Sequence, residues 1–350
     1  MSAKVRLIDI AKAAGVSVSS VSKALKDSPE ISQDTKDHIL AFADQLGYRP
    51  NFMARSLRLG RSNLLGVLIP DITNPYYASI LKGVEAKARS YGLTTIITIT
   101  NEDPAIEQEA LNAFLSVPVD GILSVPINLS NYTSIKSPLV FLSRFPFRTE
   151  LSYAPRSVPR TDFHYVLSDD FQGQYLATKH LLDCGMMDVY LLLSKSPPKF
   201  VSNMKNSIRL SGYQKALEEY HIPYDPDKVF YYHKTDAPIQ EFIHHLCEKT
   251  SSPFGLCLLN DSVASEVIGT LYEHGRRIPE DVQLVGYDDV EVAKHQLPPL
   301  TTIHSAKQSI GEYGVSLIND IINRPSPTKA KIHTIFDPYL VVRKSTKSQT

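Results

Sequence analysis

Apolar residues in the first fifty positions recur at helical spacing and are separated by turn-forming residues. The first group, at i, i+3, i+4 and i+7, forms one face of a helix: Leu7, Ile10, Ala11 and Ala14. Gly15 follows, where the end of a helix favours a left-handed residue. Ser17 suits the N-cap of a second helix, and Ser32 suits that of a third helix, which ends at Gly47. The pattern predicts three short helices within residues 1–47.

The second helix has two different faces. Its inner face is apolar: Val21, Ala24 and Leu25. Its outer face carries small, polar or basic side chains that can enter a DNA major groove: Val18, Ser19, Ser22 and Lys23. Two helices around a tight turn with such a face indicate a helix-turn-helix, here an all-α head of the lambda-repressor type. A plain helical hairpin with a solvated serine face is the alternative.

A basic segment over residues 48–62 follows the head. Asn51 can cap a helix that is too short to be stable by itself. The arginines of this segment suit DNA phosphates, which supply most non-specific affinity: Arg49, Arg55, Arg58 and Arg61. Leu57 has no core to enter among these charges, and such a side chain can open a base step in the minor groove. We expect a hinge helix that contacts DNA, with a plain basic linker as the alternative.

The rest of the chain alternates strand and helix patterns. Leu64–Ile69 is a continuous apolar run, and Asn74-Pro75 opens a helix that ends at Gly92. A strand, a helix and another strand are expected next: Leu93–Thr100, Pro104–Leu115 and Gly121–Val125. This βαβαβ order predicts an α/β fold, with a parallel sheet that is covered by helices on both faces.

The same alternation restarts near Val166. Further helices are expected at Phe171–Cys184, Ile208–Tyr220, Ile239–Cys247 and a segment ending at Gly275. Further strands are expected at Val189–Leu193, Val229–Tyr232, Phe254–Leu259 and Val282–Tyr287. Two such lobes form a cleft at the carboxyl ends of their strands, where α/β sheets bind ligands. The stretch 146–164 is rich in Pro, Arg and Ser and is expected to be a surface loop, with a partner-docking or cleft-covering segment as the alternative.

Charge is distributed unevenly along the 350 residues. The formal net charge is zero, yet residues 1–61 hold ten basic and six acidic side chains. A positive front part joined to a body that does not bind DNA supports the helix-turn-helix prediction.

Cysteine usage and hydropathy indicate a cytoplasmic protein. Cys184, Cys247 and Cys257 show no Cys-x-x-Cys spacing, and thiols in apolar stretches are expected to be buried in a reducing compartment. No signal-peptide run is present, and no segment approaches the ~20 apolar residues that a membrane span needs. These features argue against a secreted solute-binding protein, which would need export and would lack residues 1–61.

The sequence lacks motifs that are typical of enzymes. It contains no Gly-x-Ser-x-Gly, no P-loop, no Gly-x-Gly-x-x-Gly after a strand and no His-Glu-x-x-His. His244 and His245 are adjacent, so their side chains diverge on a helix, and no metal site is expected there. We expect a protein that is not an enzyme and that uses no catalytic residue, cofactor or metal.

Further motifs occur in a specific order along the chain. They are Ile8-Asp9-Ile10-Ala11, Val16-Ser17-Val18-Ser19-Ser20-Val21-Ser22, Gly47-Tyr48-Arg49-Pro50-Asn51, Ala54-Arg55-Ser56-Leu57, Gly66-Val67-Leu68-Ile69-Pro70, Asn74-Pro75-Tyr76-Tyr77, Val119-Asp120-Gly121-Ile122, Val285-Gly286-Tyr287-Asp288-Asp289 and Pro298-Pro299-Leu300-Thr301-Thr302-Ile303. By these motifs the chain resembles the lac repressor/galactose repressor (LacI/GalR) family of bacterial transcription regulators, nearly from end to end.

The resemblance implies a domain arrangement. It comprises a helix-turn-helix head (1–47), a hinge helix (48–62) and an effector-binding and dimerisation body (63–350) that resembles periplasmic binding proteins. The chain is expected to cross back near Lys294–Thr302 and to add a helix from Ser305 to Ile322 to the first lobe. The lobe boundaries are then about 63–165 with 296–325 for lobe 1, and about 166–295 with 326–350 for lobe 2.

The resemblance also implies the DNA contacts. Val18, Ser19 and Lys23 are expected on base edges, while Ser17, Ser20 and Ser22 are expected to contact phosphates or to cap helices. Further DNA contacts are implied for five residues: Tyr48, Asn51, Arg55, Leu57 and Arg58. A homodimer would bind a near-palindromic operator and place Leu57 of each subunit in the central minor groove. The polar tail Lys344–Thr350 has no leucine heptads, which argues against a coiled-coil tetramer.

Effector contacts are implied in the cleft. The matching positions are Tyr76, Tyr77, Arg209 and Asp288, followed by Asp71, Arg144, Asn260 and Asp261. Aromatic rings suit sugar CH faces or the plane of a base, and a guanidinium suits paired ligand oxygens. The chain departs from relatives at Asp169-Asp170, where Asp-Asn is usual, and it lacks the usual His after Gly185. With no Trp in the chain, stacking must use Tyr or Phe.

The function implied is that of a DNA-binding regulator, a repressor in the favoured interpretation, that responds to a sugar or sugar derivative. A regulator controlled by a purine, a nucleoside or a protein partner is one alternative. A solute-binding carrier protein without a DNA function is an alternative of a different class.

Overall fold

Residues 5–48, 61–117, 119–144, 162–195, 201–232, 238–250, 253–324 and 330–347 are described by a computed structural model of the chain. The chain divides into two units, Met1–Ser62, which contains the predicted head, and Asn63–Thr350 (the body), and each unit is described by itself. Most of the predicted hinge and most of the predicted loop over 146–164 lie outside the described residues. So do four predicted DNA contacts: Asn51, Arg55, Leu57 and Arg58.

The predicted helices of the head are confirmed. Within residues 5–48 they are α1 (Leu7–Ala14), α2 (Val18–Ala24) and α3 (Gln33–Gln45). Ser17 accepts a hydrogen bond from the backbone N–H of Ser20 at 3.0 Å, as an N-cap does. Ser32 accepts one from the N–H of Thr35 at 3.3 Å and caps α3 in the same way. Gly15 ends α1 with a φ of 66°, in the left-handed conformation expected there.

The three helices enclose a small apolar core. Its buried members are Ile10, Ala11, Ala14, Val21, Ala24, Ile39 and Ala43. Two polar contacts support this packing: the His38 ring nitrogen Nε2 lies 3.3 Å from the carbonyl oxygen of Ala14, and Lys36 forms a 2.6 Å ion pair with Asp27. The core is composed mostly of small residues, so its two isoleucines supply much of the buried apolar surface.

The α/β class predicted for the body is confirmed. Its helices are α4 (Pro75–Ser90), α5 (Pro104–Ser116), α6 (Asp170–Asp183), α7 (Val201–Glu219), α8 (Ile239–Lys249), α9 (Ala264–Glu273) and α10 (Lys307–Asn323). Its strands are β1 (Leu64–Ile69), β2 (Thr94–Ile99), β3 (Gly121–Ser124), β4 (Leu139–Leu142), β5 (His164–Ser168), β6 (Val189–Ser194), β7 (Val229–Tyr232), β8 (Phe254–Cys257), β9 (Val282–Asp288), β10 (Thr301–His304), β11 (His333–Phe336) and β12 (Tyr339–Val341).

Among the described residues, the strands form two six-stranded sheets, one in each predicted lobe. The strand order is β11-β5-β4-β3-β1-β2 in the first sheet and β12-β10-β9-β8-β6-β7 in the second. The pairings are parallel except that of β10 with β12. In the first sheet, Val67 belongs to one apolar cluster and the adjacent Leu68 to another, so both faces are covered, as in other parallel sheets.

The strand pairings differ from the approximate predicted lobe boundaries at three places. Strand β5 pairs with β4 through Leu142 and Val166, so the first crossing follows Ser168. Strand β10 pairs with β9 in the second sheet, although the predicted boundary assigns residues 296–325 to the first lobe. Strand β11 returns to the first sheet beside β5, although residues 326–350 are predicted in the second lobe. These short strands pair through backbone hydrogen bonds, which leave little trace in the hydrophobic pattern.

Helix α10 belongs to the first lobe, as the resemblance implies. It crosses α4 so closely that the two backbones are in contact. A Cβ atom on Gly311 would lie 2.2 Å from the carbonyl oxygen of Ile80, and a Cβ atom on Gly83 would lie 2.2 Å from that of Gln308. Only glycine permits such an approach, so the start of α4 and the start of α10 are held in a close mutual arrangement.

Two predicted element boundaries in the body differ from those observed. Helix α7 begins at Val201, earlier than the predicted Ile208, and strand β8 ends at Cys257 rather than at Leu259. Cys247 and Cys257 are buried, as expected for thiols in apolar stretches. Among the helices that the structure describes, none is both long enough and apolar enough to cross a membrane.

Candidate functional site

The predicted DNA-contacting residues of α2 lie at or near the surface of the head. Ser17, Val18 and Ser19 are exposed, and Val18 is 42% exposed although it is apolar. Three others are half-buried at the margin of this face: Ser20, Ser22 and Lys23. An exposed valine among small polar groups offers a methyl surface without blocking close approach, which suits contact with a thymine methyl group.

Ser17 and Ser20 combine a capping role with surface exposure. Their hydroxyl oxygens lie 2.9 Å apart, in addition to the N-cap hydrogen bond of Ser17. Each hydroxyl has a single proton to donate, and one of the two is used between the serines, so one hydroxyl can donate to a phosphate while this bond is kept. Tyr48, which is also a predicted DNA contact, is half-buried against the head core, and its N–H donates to the carbonyl oxygen of Ala43 at 2.8 Å.

Lys23 is paired within the head. Its Nζ atom lies 2.5 Å from Glu30 Oε2, and both side chains are substantially exposed. The hydrogen bond and the positive charge of Lys23 hold the pKa of the Glu30 carboxyl below its ordinary value. A DNA base or phosphate that takes Lys23 must therefore displace Glu30 or share the lysine with it.

The body gathers polar side chains at the carboxyl ends of its strands, where parallel α/β sheets bind ligands. Asp288 is the last residue of β9, and Asn260 follows β8. Arg144 follows β4 in the first lobe, and Asp170 begins α6 immediately after β5. Tyr76 lies in the first turn of α4. These side chains come from both lobes. We call the group of polar and aromatic side chains at these strand ends the cleft cluster.

Arg209 lies at the centre of the second-lobe half of the cleft cluster. Its Nε atom donates to Asp170 Oδ1 at 3.0 Å, and its Nη1 atom donates to the carbonyl oxygen of Leu259 at 2.8 Å. The guanidinium carbon lies 3.5 Å from the centroid of the Tyr287 ring, within cation–π distance. Burial is the largest influence and opposes its charge, but Asp170, Tyr287 and Asp288 together outweigh burial and hold the pKa of Arg209 above its ordinary value.

Asp288 lies within electrostatic reach of residues from both lobes. Its negative charge helps to raise the pKa of Tyr76 in the first lobe, where burial is the main cause. It also acts on Arg209 and Asp261 in the second lobe. The fold thus brings together four predicted effector contacts: Tyr76, Arg209, Asp261 and Asp288. Tyr77 lies beside Tyr76.

The turn that carries Asp288 is strained and held by neighbouring groups. Asp288 and Asp289 have φ values of 98° and 52°, in a region that residues other than glycine rarely adopt. Lys307 Nζ, in the first turn of α10, donates to the carbonyl oxygens of Asp288 at 2.6 Å and of Asp289 at 3.0 Å. Backbone strain of this kind persists only where the surroundings enforce it, and it is frequent at binding sites.

The Asp289 side chain contacts residues at the ends of other strands in the second lobe. Its side chain forms an ion pair with Arg343 at 2.6 Å, and the His304 Nδ1 atom lies 2.9 Å from its Oδ2 atom. Burial by itself would raise the pKa of Asp289, but the hydrogen bonds from His304 and Arg343 outweigh burial and hold it at about 2. Asp289 is therefore ionised and locks the turn in place.

Asp261 also stabilises the turn that carries Asp288 and Asp289. Its Oδ1 atom accepts from the Thr302 hydroxyl at 2.6 Å, and its Oδ2 atom accepts from the N–H of Val290 at 2.9 Å. A Cβ atom on Gly286 would lie 2.1 Å from Oδ1, so this approach requires glycine. Burial, together with the charge of Asp288, raises the pKa of Asp261 to about 7 against the opposing hydrogen bond from Thr302.

The first-lobe half of the cleft cluster consists of two tyrosines and an arginine. The Tyr76 hydroxyl lies 2.8 Å from Ser143 Oγ, and its ring meets that of Tyr77 edge-on at 5.2 Å. Arg144 donates to the Tyr77 hydroxyl at 2.8 Å and forms a bidentate ion pair with Glu102. Burial raises the pKa of Tyr77 to about 12, although Arg144 opposes this effect.

Two predicted effector contacts have local roles in the structure. Asp71 accepts hydrogen bonds at 2.7 Å from the N–H and the hydroxyl of Thr73, which closes a tight turn. Asn260 accepts from the N–H of Ser262 at 3.0 Å. Within the part of the chain that the structure describes, no group of three or more His, Cys, Asp or Glu side chains could hold a metal ion.

Sequence reasoning missed two members of the cleft cluster, Asp170 and Tyr287. The sequence contained a signal for both. Asp170 belongs to the Asp169-Asp170 departure, and Tyr287 directly precedes Asp288 in a quoted motif. What the sequence does not contain is the crossing after β5, which places Asp170 beside Arg209 of α7.

Comparisons with known proteins agree with this architecture. Residues 6–51 match the family model "Bacterial regulatory proteins, lacI family". Residues 178–346 match the model "Periplasmic binding protein-like domain". The first model covers the head, and the second covers most of the second lobe together with α10.

Similar proteins extend over nearly the whole chain. The HTH-type transcriptional repressor PurR of Haemophilus influenzae (strain PittEE) is 30% identical over 345 residues, which is 97% of this chain and 98% of the relative. The HTH-type transcriptional regulator DegA of Bacillus subtilis (strain 168) is 28% identical over 98% of both chains.

Solved structures show the same fold. The lac repressor dimer bound to operator and an anti-inducer superposes with a TM-score of 0.82 at 23% identity, covering 99% of this chain and all of the other. A complex of the transcriptional regulator CelR with cellobiose gives a TM-score of 0.68 at 25% identity, covering 98% of this chain and all of the other. With the head, the two-lobed body and an end-to-end relative at 30% identity, the chain belongs to the LacI family of bacterial transcription regulators.

Proposed function

We propose that this protein is a sequence-specific repressor whose affinity for its operator is controlled by a small molecule bound between the two lobes. The observation that carries the proposal is the cleft cluster. Asp288 lies within electrostatic reach of Arg209 in the second lobe and of Tyr76 in the first. A ligand that contacts all three groups would bind differently to open and closed arrangements of the lobes, and only such a difference can shift a conformational equilibrium.

The head would bind DNA through α2 and the segment that follows the head. Val18, Ser19 and Lys23 would contact base edges, and Ser17, Ser20 and Ser22 would contact phosphates. The remaining contacts are proposed from the sequence: Tyr48, Asn51, Arg55, Leu57 and Arg58. The protein would act in the cytoplasm as a homodimer on a near-palindromic operator, with the head (1–47), hinge (48–62) and body (63–350) as its parts.

The effector would lie among eight residues of the cleft cluster and its surroundings: Asp71, Tyr76, Tyr77, Arg144, Arg209, Asn260, Asp261 and Asp288. Asp288 and Arg209 would bond ligand polar groups directly, whereas Asp261 and Arg144 would position their neighbours. Among the described residues, no protein atom accepts from Arg209 Nη2, which leaves this nitrogen for a ligand oxygen.

A sugar or sugar derivative is the favoured effector. Carboxylate acceptors, a guanidinium donor and aromatic rings are the groups that bind hydroxyl-bearing rings, and a structure with a TM-score of 0.68 contains cellobiose. A purine is the second candidate, because the relative at 30% identity is named PurR. Calorimetry against a panel of sugars and nucleobases separates the two classes.

Selection of operators from a randomised duplex pool tests the repressor proposal. The selection is run at defined salt, because phosphate contacts make affinity strongly salt-dependent, and with and without a mixed pool of sugars. We expect a palindromic sequence that is lost when the effector is added. Failure to enrich any sequence would overturn the DNA-binding part of the proposal, whereas a palindrome indifferent to sugars would favour the purine or a protein effector.

Replacing Lys23 with alanine should relax specificity at one base pair of each half-site. A good side-chain contact to a base edge is worth about 1–3 kcal/mol of discrimination, so binding to the selected operator should weaken by roughly tenfold to a hundredfold. Affinities are measured by fluorescence anisotropy against operators that carry each base at every position. A loss that is uniform across sequences would instead assign Lys23 to a phosphate.

Glu30→Gln is the matched control for this prediction. The substitution removes the carboxylate that pairs with Lys23 without touching the lysine. We expect it to strengthen DNA binding across all sequences, because a negative charge is removed near the phosphates. Weaker binding by this variant would show that the ion pair orients Lys23 for base recognition.

A further inference from the structure

We propose that the effector is uncharged or cationic, and that Asp170 excludes anionic ligands from the cleft cluster. The inference rests on the proposed effector site and specifies the chemical class of its ligand. It assigns to Asp170 a role in specificity, through neutralisation of the arginine to which an anion would otherwise bind.

The geometry of Arg209 is the first observation. Asp170 and Arg209 are both at least 95% buried, and Asp170 Oδ1 accepts from Nε at 3.0 Å. Nη1 also donates to the carbonyl oxygen of Leu259, so each edge of the guanidinium has one nitrogen that is already bonded. A ligand phosphate that approached Nη2 would lie beside the Asp170 carboxylate. The negative charge of that carboxylate would oppose the paired hydrogen bonds by which arginine binds phosphate or carboxylate groups.

The other cations of the cleft cluster are also compensated. Arg144 is paired with Glu102 and donates to the Tyr77 hydroxyl. Lys307 donates to the carbonyl oxygens of Asp288 and Asp289, which anchors it in the turn. An incoming anion would therefore meet cations whose positive charges are already compensated by Glu102 or by the carbonyl oxygens of the turn.

Two carboxylates of the cleft cluster lie near the same tyrosine. The negative charges of Asp288 and Asp170 both help to raise the pKa of Tyr76, where burial is the main cause. An ionised carboxylate can only accept hydrogen bonds. The cluster therefore favours ligand hydroxyl and amine groups, which donate, and repels phosphate and carboxylate groups, whose charge would lie near these acids in a water-poor site.

The test compares Asp170→Asn with the matched control Asp169→Asn. Asparagine keeps the shape of residue 170 and an acceptor for Arg209 Nε but leaves the arginine charge uncompensated. Asp169 is the adjacent carboxylate and caps α6 by accepting from the N–H of Gln172 at 3.0 Å, a role that asparagine fills equally well. The probes are inorganic phosphate, glucose 6-phosphate, glucose and glucosamine, and binding is measured by calorimetry and by the shift in thermal midpoint.

We expect wild type and D169N to show no binding of inorganic phosphate or glucose 6-phosphate. D170N should bind at least one of them at least about tenfold more tightly, because the freed charge strengthens hydrogen bonds to an anion. The double variant D170N/R209Q should lose this gain, which would show that the gain comes through Arg209. D170N without the gain would overturn the proposal, as would binding of either anionic probe to wild type.

Two further measurements keep the outcome interpretable. Circular dichroism establishes whether D170N is folded. If D170N is not folded, the wild-type measurement alone decides. Binding of an anionic probe to wild type refutes the exclusion, whereas binding of glucose or glucosamine without binding of either anionic probe supports it. Operator affinity is measured on the same samples. Wild type that binds no operator refutes the repressor proposal and leaves the anion test standing. D170N that binds operator without gaining anion affinity refutes only the present inference.

Discussion

Replacing Ile10 with alanine should abolish operator binding while leaving the body folded and able to bind its effector. Ile10 is fully buried in the core of the head, and removal of a buried isoleucine side chain costs about 2–5 kcal/mol. A domain of fewer than about sixty residues has a stability of only a few kcal/mol. The loss is therefore comparable with the whole stability of the head, and an unfolded head cannot present α2 to DNA.

Ile8→Ala is the matched control. Ile8 lies on the same helix, two residues away, but is 44% exposed, so its removal should change stability by less than about 1 kcal/mol. Operator affinity is measured by fluorescence anisotropy, and the fold of each variant is followed by circular dichroism. Equal losses of affinity in the two variants would show that the effect comes from the surface of α1 and not from the core.

The head was predictable from its sequence because its signals are local. Ser17 and Ser32 cap the helices that follow them, and Gly15 adopts the left-handed conformation that ends α1. Each of these signals acts within a few residues and depends little on the rest of the chain. The same holds for Asn74 and Pro75 at the start of α4, where the asparagine side chain accepts from the N–H of Tyr76 at 3.0 Å.

The lobe assignment depends on long-range pairing, which the local pattern does not contain. Strands β10 and β11 have four residues each, too few for a period to be recognised, and they lie in opposite lobes. The Leu139–Leu142 run is too short to be recognised as a strand from its pattern, although all four of its residues are buried. The position of such segments depends on their pairing with strands that are distant in the sequence.

The same limit applies to the cleft cluster. The individual residues Arg209 and Asp288 were identified from motifs, but the partner of Arg209 was not, because Asp170 lies 39 positions earlier in the sequence. The crossing after β5 brings the two together, and the crossing after β10 brings Lys307 to the carbonyl oxygen of Asp288. The chain crossings thus determine the electrostatics of the cluster and connect Asp288 to the first turn of α10.

Replacing Asp261 with asparagine should remove a decrease in stability that the wild type shows as the pH rises from about 4 to about 7. The raised pKa of Asp261, about 7, means that the folded protein keeps a proton that the unfolded chain releases above about 4. Folding is therefore favoured at low pH, and this contribution is lost as the pH rises through 7. The difference corresponds to as much as about 4 kcal/mol in the free energy of unfolding.

Urea unfolding of the wild type and D261N, followed by circular dichroism between pH 4.5 and 8, measures this contribution as the difference between the two curves. Other acids titrate in both proteins, so only the difference is assigned to Asp261. Thr302→Val provides a second variant, because the Thr302 hydroxyl donates to Asp261 at 2.6 Å and its removal should move the transition to higher pH. Parallel curves for the wild type and D261N would mean that Asp261 is ionised in the folded protein throughout this range, and that its two hydrogen bonds outweigh its burial.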